Sequence, residues 1–333
     1  MYKLITHTDL DGASCAVLAN IAWGKDVEIT YCHNPVEVTA ELLKLNEMEA
    51  WKKYNVIYIT DISFDISIVP QCKKLKNILR LFDHHETTIK PFEPYKKWAT
   101  VQVMLNEKLT CGTELFYHYL IHKGLIKHRD FFVELVRLYD TWDWSKTNSK
   151  LPKYLSNIVM KIGLQYFVRE FTERLKYRDV NELNLFTEQE RIVLQFDDER
   201  ESKDIYSFLN QTVICKIYNE TICPAQKEFK VGVIYNSSYY SSQLGNDMCT
   251  YLGVDIAFMV NLNRERVEVR TARDDIDLGK LMKDRYQGGG HQKVAGGYLK
   301  ILQKISTCCL EPLGEVLEVT IPAPNQRIMI NKN

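Results

Sequence analysis

Tyr2-Lys3-Leu4-Ile5-Thr6-His7-Thr8-Asp9-Leu10-Asp11-Gly12 opens the chain with an apolar, β-branched run that stops at a polar loop. The run is too short for a helix and reads as a strand, and residues 12–23, small and apolar, read as the helix that follows. The alternation then repeats. Residues 27–31 read as a strand, Pro35 opens a helix carrying Val38, Leu42 and Leu45, 55–59 reads as a strand, 66–76 as a helix and 78–82 as a strand. Strands separated by helices of this length predict right-handed βαβ units, hence an α/β domain with a mainly parallel sheet flanked by helices.

Beyond about residue 112 the pattern becomes nearly all helical. Between Pro152 and Pro224 there is no proline, and Gly163 is the only glycine. Thr187-Glu188-Gln189-Glu190 fits a helix-capping pattern, opening a helix through Arg191, Leu194 and Phe196 that would link two domains. Strand signals return at 213–217, 231–235, 256–261 and 266–271, with Ser241-Ser242-Gln243 capping a helix towards Leu252. A length of 333 residues suits two domains.

Composition narrows the function. Lys plus Arg is 43 and Asp plus Glu is 43, so the formal net charge is zero. That balance argues against a protein that coats long nucleic acid, where affinity comes from phosphate neutralisation. It leaves room for a small phosphate-bearing ligand held locally. The nine cysteines are odd in number and form no CxxC, which predicts reduced thiols and a cytoplasmic protein, with the neighbours Cys308 and Cys309 in packing roles. No basic stretch leads an apolar one at the start, and no apolar run approaches the ~18 residues of a membrane span.

Three polar clusters fall directly after strand-like runs: His7-x-Asp9-x-Asp11-Gly12, Asp61, and Asp83-His84-His85. In an open parallel sheet such positions line one crevice at the carboxyl ends of the strands. Taken singly, an Asp after a strand reads as a cap and a His-His pair as a surface feature. Four or more carboxylates converging on one edge would repel one another unless cations neutralised them. Oxygen and imidazole donors without thiolates suit Mn²⁺ or Mg²⁺, and also admit Fe²⁺, Co²⁺ or Zn²⁺. No Gly-x-Ser-x-Gly elbow or Walker-type loop competes for the chemistry.

These three clusters resemble the first three motifs of the DHH phosphoesterase superfamily, which includes RecJ-type exonucleases, oligoribonucleases and cyclic-dinucleotide phosphodiesterases. The single residue between His7 and Asp9 is similar to the RecJ-like branch and to oligoribonucleases of the NrnB type, whereas several relatives place three residues there. A fourth motif would be Asp140 in Arg137-Leu138-Tyr139-Asp140-Thr141-Trp142-Asp143-Trp144, with Asp143 as the other choice. The resemblance implies two divalent cations, Mn²⁺ first. His7 and Asp9 would hold one, Asp11, His84 and Asp140 the other, and Asp61 would bridge them. It also implies that Asp83 orients His84, and that His85 faces the scissile phosphate. Trp142 and Trp144 read as packing residues rather than a base-stacking platform.

Gln287-Gly288-Gly289-Gly290-His291-Gln292-Lys293-Val294-Ala295-Gly296-Gly297 forms a second cluster. Adjacent glycines permit positive φ and predict a nest of exposed amides for phosphate oxygens, with His291 as a further donor. The longer pattern resembles the DHHA1 domain that accompanies DHH domains. It implies that Gly288, Gly289, Gly290, His291 and an Arg on a preceding strand bind substrate. Arg270 fits that position, and Arg273 lies nearby. The resemblance assigns 1–180 to a DHH catalytic domain, 181–205 to a helical linker, 206–320 to a smaller α/β DHHA1 domain and 321–333 to a tail.

The resulting expectation is a metal-dependent phosphodiesterase. It would cut very short RNA or linear dinucleotides to 5′-mononucleotides by two-metal activation of water, the two domains closing on the substrate. Hydrolysis of cyclic dinucleotides or 3′-phosphoadenosine 5′-phosphate, RecJ-like digestion of single strands, and an inactive nucleotide-binding regulator are the alternatives. The expected partner is short RNA or a dinucleotide, with no membrane and no stable complex with long nucleic acid, and a homodimer is allowed.

Overall fold

The structure, a computed structural model, describes residues 1–72, 75–223, 225–235 and 240–299 and the strand Glu315–Thr320. Cys308, Cys309 and the 321–333 tail lie outside the described residues. The chain divides into two compact units, Met1–Leu194 and Gln195–Asn333.

The first unit is built on a five-stranded, wholly parallel sheet: β1 (Tyr2–Thr6), β2 (Val27–Tyr31), β3 (Val56–Thr60), β4 (Leu79–Asp83) and β5 (Ala99–Val101), in the order β2-β1-β3-β4-β5. Alternate residues of its central strands are buried on opposite faces. Leu4, Tyr58 and Phe82 pack beneath α1 (Leu10–Trp23), α4 (Gly112–His122), α5 (Asp130–Asp140) and α7 (Leu164–Tyr177). Ile5, Ile57, Ile59, Leu79 and Leu81 pack beneath α2 (Pro35–Glu47) and α3 (Glu86–Phe92). Burial on both faces is why these strands read as short, nearly continuous apolar runs. A small hairpin, β6 (Met104–Leu105) and β7 (Lys108–Leu109), precedes α4, and α6 (Leu151–Asn157) lies between α5 and α7.

One expectation needs correction. Among the described residues of the 66–76 segment there is no α-helix. The segment holds two 3-10 turns, Ile66–Ile68 and Leu75–Asn77. Pro70 has no N–H to return to the Ile66 carbonyl, so the helix cannot propagate through this β-branched stretch. The sheet also carries β5, three residues that leave no recognisable period in the sequence.

The helix α8 (Glu188–Gln211) contains the boundary between the units. Its start is a reciprocal capping box. Glu190 N–H donates to Thr187 Oγ1 at 3.2 Å, and Thr187 N–H donates to Glu190 Oε2 at 2.6 Å.

The second unit holds a seven-stranded sheet in the order β12-β13-β11-β10-β9-β8-β14. Its strands are β8 (Val213–Cys223), β9 (Gln226–Tyr235), β10 (Ile256–Asn261), β11 (Arg266–Arg270), β12 (Gly289–Gly290), β13 (Val294–Tyr298) and β14 (Glu315–Thr320). Only β9 and β10 run parallel. Leu244 and Met248 of α9 (Ser241–Tyr251) cluster with Ala257 and Met259 of β10. Met282 and Tyr286 of α10 (Leu278–Tyr286) cluster with Phe258, Val267 and Val269, residues of the opposite parity and hence of the opposite face. The fold is therefore α/β throughout. Among the described residues no helix is long and apolar enough to cross a membrane.

Candidate active site

Because β1, β3 and β4 are parallel and adjacent, the residues that follow them emerge at one edge of the sheet. Asp9 caps α1, its Oδ1 accepting the Gly12 N–H at 3.0 Å, while its Oδ2 accepts from His7 Nδ1 at 2.8 Å. His7 Nδ1 also stands 3.6 Å from Asp61 Oδ2. In the first turn of the helix, buried Asp11 accepts the Gly112 N–H at 2.6 Å and the Thr113 N–H at 2.7 Å. That carboxylate thereby caps the N-terminus of α4, where the helix dipole favours negative charge.

Asp61 leaves β3 with φ 58°, a left-handed conformation, and its buried Oδ2 has no hydrogen-bond partner. His84 Nε2, also unpartnered, lies 3.3 Å from Asp61 Oδ1, 3.4 Å from Asp140 Oδ2 and 3.8 Å from Asp11 Oδ2. Asp140 is the last residue of α5. Asp143, the other candidate, is held away by ion pairs with Arg137 at 3.2 Å and Lys146 at 2.6 Å.

Burial and the neighbouring Asp11 raise the Asp61 carboxyl well above the usual carboxylate range and the Asp140 carboxyl to about 7. His7 is also raised, to about 10, through its contacts with Asp61 and Asp9, which in an imidazole favours the charged form. Burial works against charge on His84, but Asp140 and Asp11 outweigh it and raise its pKa. Among the described residues, three groups of side chains bring ligand atoms close enough together to hold a metal ion: His7, Asp9 and Asp61; Asp11, His84 and Asp140; and Asp61, His84 and His85. Unpartnered buried donors and acceptors among crowded carboxylates are what a cation site looks like before its ion is considered.

Asp83 has a different task from the one expected. Its Oδ1 accepts from the His85 ring at 2.7 Å and from the His84 backbone N–H at 2.8 Å, so the imidazole it orients is His85's. His84 and His85 are consecutive, and only the second ring turns back towards the end of β4. Burial opposes charge on His85, yet the Asp83 carboxylate wins and raises its pKa. With Nδ1 given to Asp83, Nε2 of a protonated His85 is left as a donor.

Trp142, at φ 63°, meets Trp144 edge-on at 5.3 Å, and Trp144 stacks on Tyr139 at 6.4 Å. The aromatic rings following Asp140 thus pack on one another. Gly112 and Thr113, which hold Asp11, carry no acid or imidazole and were not singled out from the sequence. The only trace they leave is the ordinary helix start Cys111-Gly112-Thr113-Glu114.

In the second unit, Arg270 is buried and its guanidinium donates to the Val269 carbonyl at 2.9 Å and to Ser242 Oγ at 3.0 Å. Burial lowers its pKa. A Cβ at Gly245 would stand 2.4 Å from Arg270 Cγ, so α9 approaches the arginine stem closely only because that residue is glycine. Arg273 is committed elsewhere, to Asp255 at 2.8 Å and to Asp275.

The glycine segment is not an open nest of three amides. Gly288 N–H donates to the Met282 carbonyl at the end of α10, Gly289 and Gly290 pair with Gly296 and Ala295, and His291 N–H donates to Val294. Only Gly290 of the three has positive φ, and Gly289, Gly290 and His291 are exposed at this hairpin. Glycine here serves close strand approach: a Cβ on Gly288 would fall 1.9 Å from the Gly296 carbonyl oxygen.

No family model matches the chain. It is 31% identical over 307 residues to the oligoribonuclease NrnB of Bacillus subtilis (strain 168), an alignment covering 89% of this chain and 72% of that protein. Among solved structures, RecJ of Thermus thermophilus in complex with Mn²⁺ superposes with a TM-score of 0.53 at 11% identity, over 91% of this chain and 50% of that one. The pGpG-specific phosphodiesterase PggH of Vibrio cholerae superposes with a TM-score of 0.51 at 14% identity, over 91% and 95% respectively.

Proposed function

The chain belongs to the DHH phosphoesterase superfamily and is a phosphodiester hydrolase, and we propose that it acts with two divalent cations, Mn²⁺ foremost, on very short RNA or linear dinucleotides, releasing 5′-mononucleotides. The observation that carries this reading is the convergence of Asp9, Asp11, Asp61, Asp140, His7 and His84 at one sheet edge, with Asp61 common to two of the groups that could hold a metal. His7 and Asp9 would hold one cation, Asp11, His84 and Asp140 the other, and Asp61 would serve both. Cations held by these residues would lower the pKa of a bound water and neutralise charge on the phosphate oxygens.

The chain's own groups do the rest. His85, fixed by Asp83, presents a proton from Nε2 to a phosphate or departing oxygen. Arg270, anchored by Ser242, offers its remaining N–H donors to phosphate oxygens, the kind of acceptor that guanidinium favours. The exposed hairpin at Gly288, Gly289, Gly290 and His291 adds a surface on which side chains do not obstruct a nucleotide. The zero net charge suits a short substrate better than a long one.

Product analysis tests the reading. With Mn²⁺ and end-labelled RNA, a dinucleotide and a pentamer are expected to disappear to mononucleotides while a strand of several tens of nucleotides stays nearly intact. Ladder-like digestion of the long strand, or turnover of a cyclic dinucleotide alone, overturns it. Chelation of the metal is expected to stop all turnover.

A further inference from the structure

Arg270 and Glu268 stand two residues apart on β11 and therefore on the same face of the sheet, the α9 face, while Val267 and Val269 point into the core on the other side. The guanidinium is buried, with 9% of its side chain exposed, whereas 48% of the Glu268 side chain is exposed. Their nearest atoms, Arg270 Nη2 and Glu268 Oε2, are 3.7 Å apart. That is too long for a hydrogen bond, so each group keeps capacity for a ligand. Further along the same row of the sheet Glu268 is paired with Gly296, and Gly296 with Gly289. Neither neighbour has a side chain, and a Cβ on Gly289 would meet nothing within 4 Å. A carboxylate thus borders an open floor of backbone beside a buried cation.

A carboxylate at that place repels a second phosphate and accepts only O–H or N–H donors. The hydroxyl nearest a 3′-phosphate in a ribonucleotide is the vicinal 2′-hydroxyl, the group that distinguishes RNA from DNA, and acidic side chains accept from it in other nucleotide sites. We propose that Glu268 accepts a hydrogen bond from the ribose 2′-hydroxyl of the nucleotide whose 3′-phosphate Arg270 holds, and thereby selects ribonucleotides over deoxyribonucleotides. The inference rests on the hydrolase reading above and adds to it a residue that determines sugar specificity.

The test compares kcat and KM for a ribodinucleotide and the 2′-deoxyribodinucleotide of the same bases, using wild type, Glu268→Ala and Glu268→Gln. A hydrogen bond to a charged group predicts a wild-type ribose preference in kcat/KM of about tenfold or more. Glu268→Ala is expected to shrink that preference to within about threefold, through KM for the ribose substrate with kcat unchanged, while Glu268→Gln, which keeps an acceptor oxygen, restores part of it. Thermal unfolding of the variants should match wild type, since the side chain is half exposed. Equal losses on both substrates, or a wild type without sugar preference, overturn the assignment. A wild type that cleaves neither dinucleotide overturns the hydrolase reading instead.

Discussion

Changing Asp61 to Asn is expected to lower phosphodiester cleavage by on the order of 10³-fold or more, while the metal-free protein becomes harder to unfold. Asp61 is the carboxylate shared by two of the three groups able to hold a metal, so losing its charge removes a ligand from both at once. Asn occupies nearly the same volume and, like Asp, tolerates the left-handed backbone that φ 58° requires, so the loop has no steric reason to move. The stability effect has the opposite sign. Asp61 is buried against Asp11 and Asp9, and that proximity disfavours its ionised form. An amide there stays neutral without taking up a proton, so it removes a repulsion that is otherwise relieved by protonation or by cations. Melting curves with chelator and with Mn²⁺, run beside a cleavage assay, check both halves. A variant that retains activity, or that melts below wild type when metal-free, contradicts the account.

The second large effect is expected at a residue with no functional group. Gly112→Ala would place a Cβ 2.7 Å from Asp61 Cβ, 2.8 Å from Asp61 Cα and 2.9 Å from Asp11 Oδ2. Two of these contacts are with the body of a buried loop residue that cannot swing aside. Either α4 retreats, lengthening the amide bonds to Asp11, or Asp61 shifts out of register with His84. Overpacking of this kind costs about 1–3 kcal/mol of stability. The catalytic loss should be larger in consequence, about 10²-fold, because ligand positions displaced by roughly 1 Å no longer define the site. Denaturant titration and turnover measured on the same preparation separate the two. Loss of stability without loss of turnover at saturating Mn²⁺ would show that α4 does not set the geometry of the cluster.

Much of this was legible before any coordinates. The strands preceding His7, Asp61 and Asp83 declare themselves because both faces are buried, which leaves short apolar runs with no helical period. Their adjacency follows from parallel βαβ connections, and with it the meeting of the acids. Choices between near neighbours came from the family resemblance, not from the residues themselves. Asp140 and Asp143 are three residues apart and chemically identical, and what separates them is Arg137, which reaches across to neutralise the second. The same holds for Arg270 and Arg273, the latter spent on Asp255 and Asp275. Glycines were the least readable residues. Gly112 looks like the start of a helix and is in fact the space that lets α4 approach Asp61, and the run at 288–290 looks like a free anion nest but serves the close pairing of β12 with β13. In each case the informative quantity is the distance to something remote in the chain, which no local pattern encodes.

The two backbone bonds from α4 to Asp11, at 2.6 and 2.7 Å, also give this protein an internal gauge. Amide protons held that closely by a carboxylate resonate far downfield and exchange slowly, and both belong to a fully buried stretch. Any cation drawing on the Asp11 oxygens withdraws electron density from the acceptor those protons feel. The nitrogen–proton resonances of Gly112 and Thr113 therefore make the occupancy of this edge of the sheet visible by solution NMR, in a protein that is turning over nothing.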